Sequence, residues 1–176
     1  MAVCIRPLRL SPEEADPARC LAIYNTYILH STATFEEEPL TLAAFTARLR
    51  RITAQYPFLV AEEDGLVLGY AYLDQYNDRS AYRYTADVSI YLDEAVTAKG
   101  IGGQLLAALE QAAAAQGLRT LVSIITEENT GSLHFHEKHG FVRKGQLDRV
   151  GLKFGRWLGV WFLQKELPQV PFSGKN

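Results

Sequence analysis

The chain has 176 residues, of which 48% are hydrophobic and 22% are charged, and its formal net charge is -2. These values predict one globular domain with a sizeable core, and the lack of a basic block argues against nucleic acid or an anionic membrane as the main partner. Residues 1–10 lack the apolar core of a signal peptide, and no later apolar run reaches membrane-spanning length. Cys4 and Cys20 make neither a disulfide framework nor a zinc-site spacing, so we expect a reduced cytoplasmic protein.

The first third of the chain predicts a strand and two helices. Residues 4–10 alternate in the manner of a short strand, and Ser11 with Pro12 offers the cap and first turn of a helix. Apolar residues then recur at helical spacing over 20–28. A loop, STATFEEEP, leads to a second amphipathic helix over about 41–55. Its apolar face holds Leu42, Phe45 and Leu49.

The middle of the chain predicts a hairpin, a strand and a long helix. Asp64-Gly65 stands between two β-rich runs, where glycine takes a positive φ at no steric cost. After the polar loop NDRSAYR, the segment YTADVSIYL over 84–92 is predicted as a strand. A glycine-rich turn then opens an alanine-rich helix that runs to about Gln116, and Gly117 is its expected C-cap.

The last third predicts three strands and a short helix. LVSIIT is rich in β-branched residues and predicts a strand. A helix follows over about 132–138 and ends at Gly140, and two strands follow over about 141–150 and 157–167. The order of elements over 84–138 contains a parallel crossover, which is right-handed as a rule. With the hairpin before it, this order predicts a mixed α/β (α+β) domain without linkers or repeats.

The turn AKGIGGQLL is the strongest local hint of function. The first N–H groups of a helix have no intrahelical partner and lie at the positive end of the helix dipole, so they suit a phosphate. Gly100, Gly102 and Gly103 would let a pyrophosphate approach the backbone closely, and Lys99 adds a positive charge. The turn fits neither the nucleotide-triphosphate loop nor the dinucleotide fingerprint. By itself it also fits a flexible entry into a helix.

Five blocks in order carry a family resemblance: IYNTYILHSTATFEEEP, RSAYRYTADVSIYL, AKGIGGQLL, ENTGSLHFHEKHGF and VGLKFGRWL. On these blocks the chain, over about 5–167, resembles the GNAT superfamily of N-acetyltransferases, and within it the branch that acetylates phosphinothricin and methionine sulfone or sulfoximine. The resemblance implies a single acyl-CoA N-acyltransferase domain over 1–176, with a central mixed, mostly antiparallel sheet flanked by helices. It also implies acetyl-CoA as co-substrate and a homodimer whose second subunit helps to close the acceptor site.

The resemblance assigns cofactor contacts to three places. The pantetheine arm is expected along Ile90, Tyr91 and Leu92. The pyrophosphate is expected on Ala98, Lys99, Gly100, Ile101, Gly102 and Gly103. Asn129 matches an asparagine that contacts the pantetheine region, although it also fits a turn residue that starts the next helix. Ser132 is four residues before His136, shares its helix face, and is expected beside the cofactor. Thr97 stands where the family loop often begins with Gln or Arg, so we expect one phosphate contact to be missing.

The resemblance implies catalytic roles for Asp87 and His136. Asp87 occupies the position where this branch carries a glutamate proposed as the base, and because aspartate is one methylene shorter, a relay through water is expected. A histidine is usual in this branch at His136, where other members place a tyrosine thought to protonate the departing thiolate. Asp87 also fits a polar residue on an exposed strand face, and His136 also fits one that only packs beside the cofactor. His134 and His136 point about 200° apart on a helix, and no acidic ligand accompanies His136 and His139, so no metal is expected.

The acceptor site is assigned to two segments. Arg79 and Tyr82 match one of them, and Arg79 could pair with an acceptor carboxylate in bidentate fashion. Phe35 and Glu36 match the other. A solvated loop arginine and a core phenylalanine are the alternatives for Arg79 and Phe35. Gly159 stands where the branch usually has an aspartate, which weakens the expectation of the same acceptor preference.

The sequence therefore predicts an enzyme that moves acetyl from acetyl-CoA to the primary amine of a small amino-acid-like acceptor. Phosphinothricin, methionine sulfone and methionine sulfoximine are the acceptor types expected, with direct attack in a ternary complex. One alternative is a peptide, protein or polyamine N-acetyltransferase of the same fold. Another is a non-catalytic acetyl-CoA sensor, which Asp87 and Gly159 leave open.

Overall fold

The computed structural model describes residues 3–11, 13–96 and 100–168, and a seven-stranded sheet runs through them in the order β1-β2-β3-β4-β5-β7-β6. The strands are β1 (Cys4–Pro7), β2 (Phe58–Glu63), β3 (Leu66–Gln75), β4 (Thr85–Leu92), β5 (Thr120–Thr126), β6 (Val142–Lys153) and β7 (Arg156–Glu166). The α-helices of the described chain are α1 (Asp16–His30), α2 (Leu42–Thr53), α3 (Ile101–Ala115) and α4 (Thr130–Lys138). Neighbouring strands are antiparallel except β4 and β5, which are parallel. The predicted mixed, mostly antiparallel sheet flanked by helices is confirmed.

The side chains of β4 alternate between two hydrophobic cores on opposite faces of the sheet, as the pleat requires. Ala86 and Val88 pack in the core that contains Leu105 of α3. Tyr91 packs in the other core and meets Tyr24 of α1 edge-on, with ring centroids 5.1 Å apart. The sheet is therefore a central layer with helices on both sides. Within the described residues, no helix has the length and apolar character needed to cross a membrane.

Local backbone signals in the sequence are confirmed where one or two residues decide the geometry. Asp64 and Gly65 both have positive φ, at 52° and 81°, in the turn between β2 and β3. The helix predicted over about 41–55 is confirmed as α2, and Thr41, which the sequence analysis did not identify as its cap, accepts a hydrogen bond from the backbone N–H of Ala44 at 3.2 Å. Gly117 follows the end of α3 with a φ of 80°, which costs glycine little.

The predicted start of the first helix at Ser11 is wrong. The carbonyl of Ser11 closes a separate turn, and Pro12 lies outside the described residues. Helix α1 begins at Asp16, whose carboxylate accepts hydrogen bonds from Arg6 at 2.6 and 2.9 Å and from the backbone N–H of Arg9 at 2.9 Å. The negative charge of Asp16 in the first turn interacts favourably with the positive end of the helix dipole. Because Arg6 of β1 holds this carboxylate, the start of the helix depends on a contact with β1.

Two further expectations differ from the structure. Leu42, predicted on the buried face of α2, is 48% exposed because it is the first residue of the helix, whereas Phe45 and Leu49 are buried. The strand predicted to end near position 150 continues to the end of β6, where Phe154 and Gly155 form a two-residue turn with φ values of 51° and 70°. Two positive φ values in a row match the right-handed twist of a hairpin. The long β6–β7 hairpin therefore forms one edge of the sheet.

The strands β4 and β5 part in the middle of the sheet. Their parallel ladder holds three residue pairs, of which Asp87 with Val122 is the last. Beyond it β4 continues beside β3 to Leu92, while β5 continues beside β7 to Thr126. The facing edges of the two strands beyond Asp87 and Val122 have no ladder between them, and a gap opens there.

Candidate active site

The gap between β4 and β5 forms a cavity of about 510 Å³, which is in the range of small-ligand and cofactor sites. Residues 88–92 of β4 line one side and residues 123–126 of β5 line the other. Because β4 has no ladder on this side, its backbone polar groups face the cavity, where an extended ligand could pair with them. One of these groups, the carbonyl of Leu92, already accepts a hydrogen bond from the hydroxyl of Tyr27 at 2.9 Å. Ile90, Tyr91 and Leu92, along which the sequence analysis expected the pantetheine arm, all line this cavity.

The N-terminus of α3 meets one end of this cavity. Gly102 lines it, and a Cβ atom on Gly102 would lie 3.3 Å from the ring of Phe135, another lining residue. Gly100 precedes the helix with a φ of 76°, and a Cβ on Gly103 would lie 3.1 Å from the His139 imidazole. The side chain of Ile101 is 1% exposed and belongs to the core, so its backbone is what remains for a ligand. Ala98 and Lys99, also expected in this loop, lie outside the described residues, as does Thr97.

Asn129 is both a helix cap and a residue of the cavity wall. Its side-chain oxygen caps α4 by accepting from the backbone N–H of Ser132 at 3.2 Å. Asn129 and Ser132 also line the cavity. Asn129 and Ser132 both lie at the N-terminus of α4, so this end of the helix borders the gap.

His136 is buried on α4 and lies in the cavity wall. Its Nδ1 is 2.8 Å from the backbone carbonyl of Ser132 and 3.3 Å from the hydroxyl of the same residue. Its Nε2 is 3.2 Å from the hydroxyl of Ser123 on β5. Burial lowers the pKa of His136, and the nearby His139 lowers it further, while the hydrogen bond to Ser132 acts in the opposite direction. In the described chain, His, Cys, Asp and Glu side chains form no group of three that could hold a metal.

Asp87 lies where β4 and β5 begin to part. It is not in the cavity wall but directly precedes Val88, the first β4 residue that lines the cavity. Asp74 of β3 pairs with Asp87 across the ladder, and its carboxylate accepts from Arg51 of α2 at 2.8 and 2.6 Å. Oδ1 of Asp87 is buried and has no hydrogen-bond partner among the described residues. Burial, and then the charge of Asp74, raise the pKa of Asp87 to about 7.

The residues expected at the acceptor site fall on two separate surfaces. Glu36 is held by Arg48 of α2 at 3.0 and 2.5 Å and by the hydroxyl of Tyr24 at 2.5 Å, and these contacts lower its pKa. Arg79 and Tyr82 line a different groove, of about 520 Å³, next to the short 3-10 turn Ser80–Tyr82. The chain therefore keeps Glu36 apart from Arg79 and Tyr82.

Phe35, the other residue expected at the acceptor site, packs against the β6–β7 hairpin. Its ring lies so close to Gly151 that a Cβ on that glycine would come within 2.2 Å of it, and the ring is 38% exposed. Only glycine at position 151 leaves room for the ring there. Phe35 is therefore neither plain core nor freely solvated.

The structure explains the glycine at position 159. A Cβ on Gly159 would lie 2.8 Å from the carbonyl of Leu147 and 2.9 Å from a carboxylate oxygen of Glu127. Glu127 accepts from the backbone N–H of Gly159 at 3.0 Å and from the side chain of Gln146 at 3.0 Å. The carboxylate of Glu127, directly after β5, thus stands beside position 159, where the family resemblance led us to expect an aspartate. An aspartate at 159 would collide with it.

A buried lysine holds the loop over the cavity. Lys153, at the end of β6, is 1% exposed, and its ammonium donates to the carbonyls of Ser31 and Thr34 at 2.8 and 2.7 Å. Ala33, between those two residues, lines the cavity. The loop over 31–34, here called the roof loop, is therefore tied to the β6–β7 hairpin by a charged group.

We expect Lys153→Met to destabilise the protein by about 2–4 kcal/mol, because two buried carbonyls lose a charged donor. Urea unfolding gives the change in the free energy of unfolding. Lys165→Met is the matched control, since the Lys165 side chain is 22% exposed and its ammonium pairs with Glu110 at 2.6 Å. That control should cost less than about 1 kcal/mol. Equal losses in the two variants would contradict the special role of Lys153.

Several lining residues escaped the sequence analysis. Ser123 occupies an inward position of β5, between Leu121 and Ile125, both of which are buried in the α3-side core. A lone polar residue at an inward position of an apolar strand is a usable signal, because a buried hydroxyl needs a partner. Tyr27 and Phe135 carried no comparable signal, because aromatic residues at helical spacing also fit a core.

The chain matches a known protein family and several characterised relatives. A family model for the acetyltransferase (GNAT) domain matches residues 10–160. The chain belongs to the GNAT acetyltransferase family. This acetyltransferase is 38% identical over 169 residues to a phosphinothricin N-acetyltransferase of Alcaligenes faecalis, covering 95% of this chain and 85% of that protein. It is 41% identical over 158 residues to an L-methionine sulfoximine/L-methionine sulfone acetyltransferase of Pseudomonas paraeruginosa, covering 87% of this chain and 90% of that protein.

The acetyltransferase also resembles a solved structure that contains a cofactor. A GNAT-superfamily phosphinothricin acetyltransferase of Sinorhizobium meliloti, crystallised with acetyl-CoA, superposes with a TM-score of 0.91 at 33% identity. The match covers 100% of this chain and 94% of that chain. The fold and the enzyme class expected from the sequence, an acyltransferase of the GNAT type, are confirmed.

Proposed function

We propose that this acetyltransferase moves the acetyl group of acetyl-CoA to the primary amine of a small amino-acid-like acceptor, by direct attack in a ternary complex. The observation that carries the proposal is the gap between β4 and β5. An unpaired strand edge lines its length, and a helix N-terminus with closely spaced glycines meets one end. An extended chain that ends in a pyrophosphate matches both features.

In this proposal the pantetheine arm pairs with residues 90–92, and the pyrophosphate lies against the N–H groups that open α3. The acetyl-CoA complex of the Sinorhizobium meliloti relative supports the choice of cofactor. Asn129 and Ser132 would contact the arm from the first turn of α4. The thioester then lies near Asp87, where the two strands begin to part.

Asp87 would act as the base that accepts the proton of the attacking amine. Its raised pKa, about 7, suits a base that works near neutral pH. Because its carboxylate is outside the cavity wall, the proton is expected to pass through a water molecule. The amine nitrogen bonds to the acetyl carbon, the C–S bond breaks, and the electron pair leaves with sulfur.

The acceptor class rests on the names of the two bacterial relatives, which act on phosphinothricin and on methionine sulfoximine or sulfone. Arg79 would supply the bidentate partner for an acceptor carboxylate, with Tyr82 beside it. Since one chain keeps these two residues away from Phe35 and Glu36, a second copy of the chain would complete the acceptor site.

The β6–β7 hairpin offers a surface for that second copy. Over residues 147–157 of the hairpin, five large apolar side chains are 47–61% exposed, and exposed apolar side chains that cluster on one element often mark a protein–protein interface. They are Leu147, Val150, Leu152, Phe154 and Trp157. We expect Trp157→Glu to shift the protein from dimer to monomer in sedimentation velocity. Leu66→Glu, at a residue that is 51% exposed near the opposite edge of the sheet, should leave the dimer intact. A monomeric parent protein would contradict the homodimer.

The decisive experiment measures release of free CoA with a thiol reagent across a panel of amines. The panel holds phosphinothricin, methionine sulfone, methionine sulfoximine, ordinary amino acids, polyamines and short peptides. Turnover with the first three supports the proposal. Turnover only with peptides or polyamines would overturn the acceptor class, and acetyl-CoA binding without any turnover would favour a sensor.

A further inference from the structure

The contacts of His136 fix which of its ring nitrogens carries a hydrogen. A carbonyl oxygen only accepts hydrogen bonds, so the 2.8 Å contact with the Ser132 carbonyl requires a hydrogen on Nδ1. Burial disfavours the doubly protonated ring, and its aromatic neighbours, Phe135 and Phe141, offer no negative charge. His136 is therefore neutral, and its Nε2 carries a lone pair.

The neutral ring determines the direction of the contact with Ser123. Because Nε2 can only accept, the Ser123 hydroxyl donates its hydrogen to it over 3.2 Å. In this arrangement the Nδ1 hydrogen of His136 is bound to the Ser132 carbonyl and Nε2 carries no hydrogen, so the ring has no free proton to give to a leaving group. The hydrogen that a leaving group could use is the one on Ser123.

Ser123 also occupies the right place for such a contact. It follows Val122, the last β5 residue paired with β4, and so lies where the gap begins. Asp87 lies at the same point on the opposite strand. Asp87 lies on the same face of the sheet as Asp74, whose carboxylate is bound by Arg51 of α2. Ser123 lies on the opposite face, where it contacts His136 of α4. A thioester between them would have the amine on the side of Asp87 and the sulfur on the side of Ser123.

We propose that the Ser123 hydroxyl donates a hydrogen bond to the sulfur of the departing CoA thiolate, and that neutral His136 is the resting acceptor that orients it. This inference rests on the proposed function. When the C–S bond breaks and sulfur takes the electron pair, the hydroxyl turns from Nε2 to the sulfur while its O–H bond stays intact. The amine proton goes to the carboxylate of Asp87 through water, so CoA leaves as a thiolate and the charges balance. Ser123 is a catalytic residue here, and His136 acts through it.

The test measures the pKa of the CoA thiol while CoA is bound, from the ultraviolet absorbance of the thiolate. A hydrogen bond to the thiolate lowers that pKa below the value in free CoA. In Ser123→Ala the pKa should return toward the free value, and kcat should fall by about 10–100-fold with a nearly unchanged KM for acetyl-CoA. Ser123→Thr keeps the hydroxyl and should keep the lowered pKa.

His136→Gln separates the two possible roles of the histidine. Its amide oxygen can still accept from Ser123, but it cannot act as an acid, so we expect most of kcat and of the lowered thiol pKa to remain. If His136→Gln loses as much kcat as Ser123→Ala while the thiol pKa stays low, His136 is the acid and the inference falls. The inference also falls if Ser123→Ala leaves the pKa of bound CoA unchanged. If the parent protein binds no CoA at all, the proposed function fails first.

Discussion

Gly102→Glu is expected to abolish acetyl-CoA binding while leaving the protein folded. Gly102 lines the cavity at the N-terminus of α3, and a Cβ there would already touch the ring of Phe135 at 3.3 Å. A carboxylate in this position would fill the space of the pyrophosphate and repel its charge. Isothermal calorimetry should show a loss of affinity of more than about 100-fold, or about 2.7 kcal/mol.

Gly145→Glu is the matched control for this variant. Gly145 lies in the exposed strand β6, and a Cβ there would have no atom within 4 Å. It adds the same charge to the same protein away from the cavity, so acetyl-CoA affinity should stay within about twofold. An unchanged affinity in Gly102→Glu would remove the helix N-terminus from the cofactor site.

Asp87→Asn is expected to lower kcat by about 10²–10⁴-fold, because the amide is isosteric but cannot accept the amine proton. The parent enzyme should also lose activity as the pH falls through about 7, since the carboxylate becomes protonated there. Asp87→Asn should lack this acidic limb in its profile of kcat/KM against pH. Steady-state kinetics with a single acceptor checks both effects. A full kcat in Asp87→Asn would exclude Asp87 as the base.

The same substitution should have an opposite effect on stability. The pKa of Asp87 rises from an ordinary value of 3.8 to about 7 on folding, so the folded protein binds the proton more tightly than the unfolded chain. The parent protein therefore loses stability as the pH rises from about 4 to about 7. Asp87→Asn should be about 1–3 kcal/mol more stable than the parent at pH 8, and similar to it at pH 4.

Asp64→Asn serves as the control for both measurements. Asp64 is exposed in the β2–β3 turn, and asparagine tolerates its φ of 52°. It should change neither kcat nor the dependence of stability on pH. A stability gain in Asp64→Asn at pH 8 as large as that of Asp87→Asn would show that the gain does not come from the buried carboxylate.

The sequence was sufficient where a short segment decides the structure. The turn at Asp64-Gly65 and the end of α3 at Gly117 depend on the φ preference of one or two residues. The order of strands and helices followed from periodicity, which reports the burial of whole faces. The family resemblance then supplied the expectation of a cofactor loop at the N-terminus of α3.

The remaining features depend on contacts between distant parts of the chain. Helix α1 starts at Asp16 because Arg6 of β1 binds that carboxylate. The carboxylate of Glu36 is bound by Arg48, twelve positions away. A role for Ser123 can be inferred only from its contact with His136. No local pattern reports such pairings, so the sequence analysis identified neither the Arg48 partner of Glu36 nor Ser123.

The short ladder between β4 and β5 also links cofactor binding to the stability of the native state. Three residue pairs join the two halves of the sheet along this line. A cofactor that adds hydrogen bonds to the free edge of β4 would bind the native state alone and raise its population by mass action. The resistance of the folded chain to proteolysis would then rise with the concentration of acetyl-CoA.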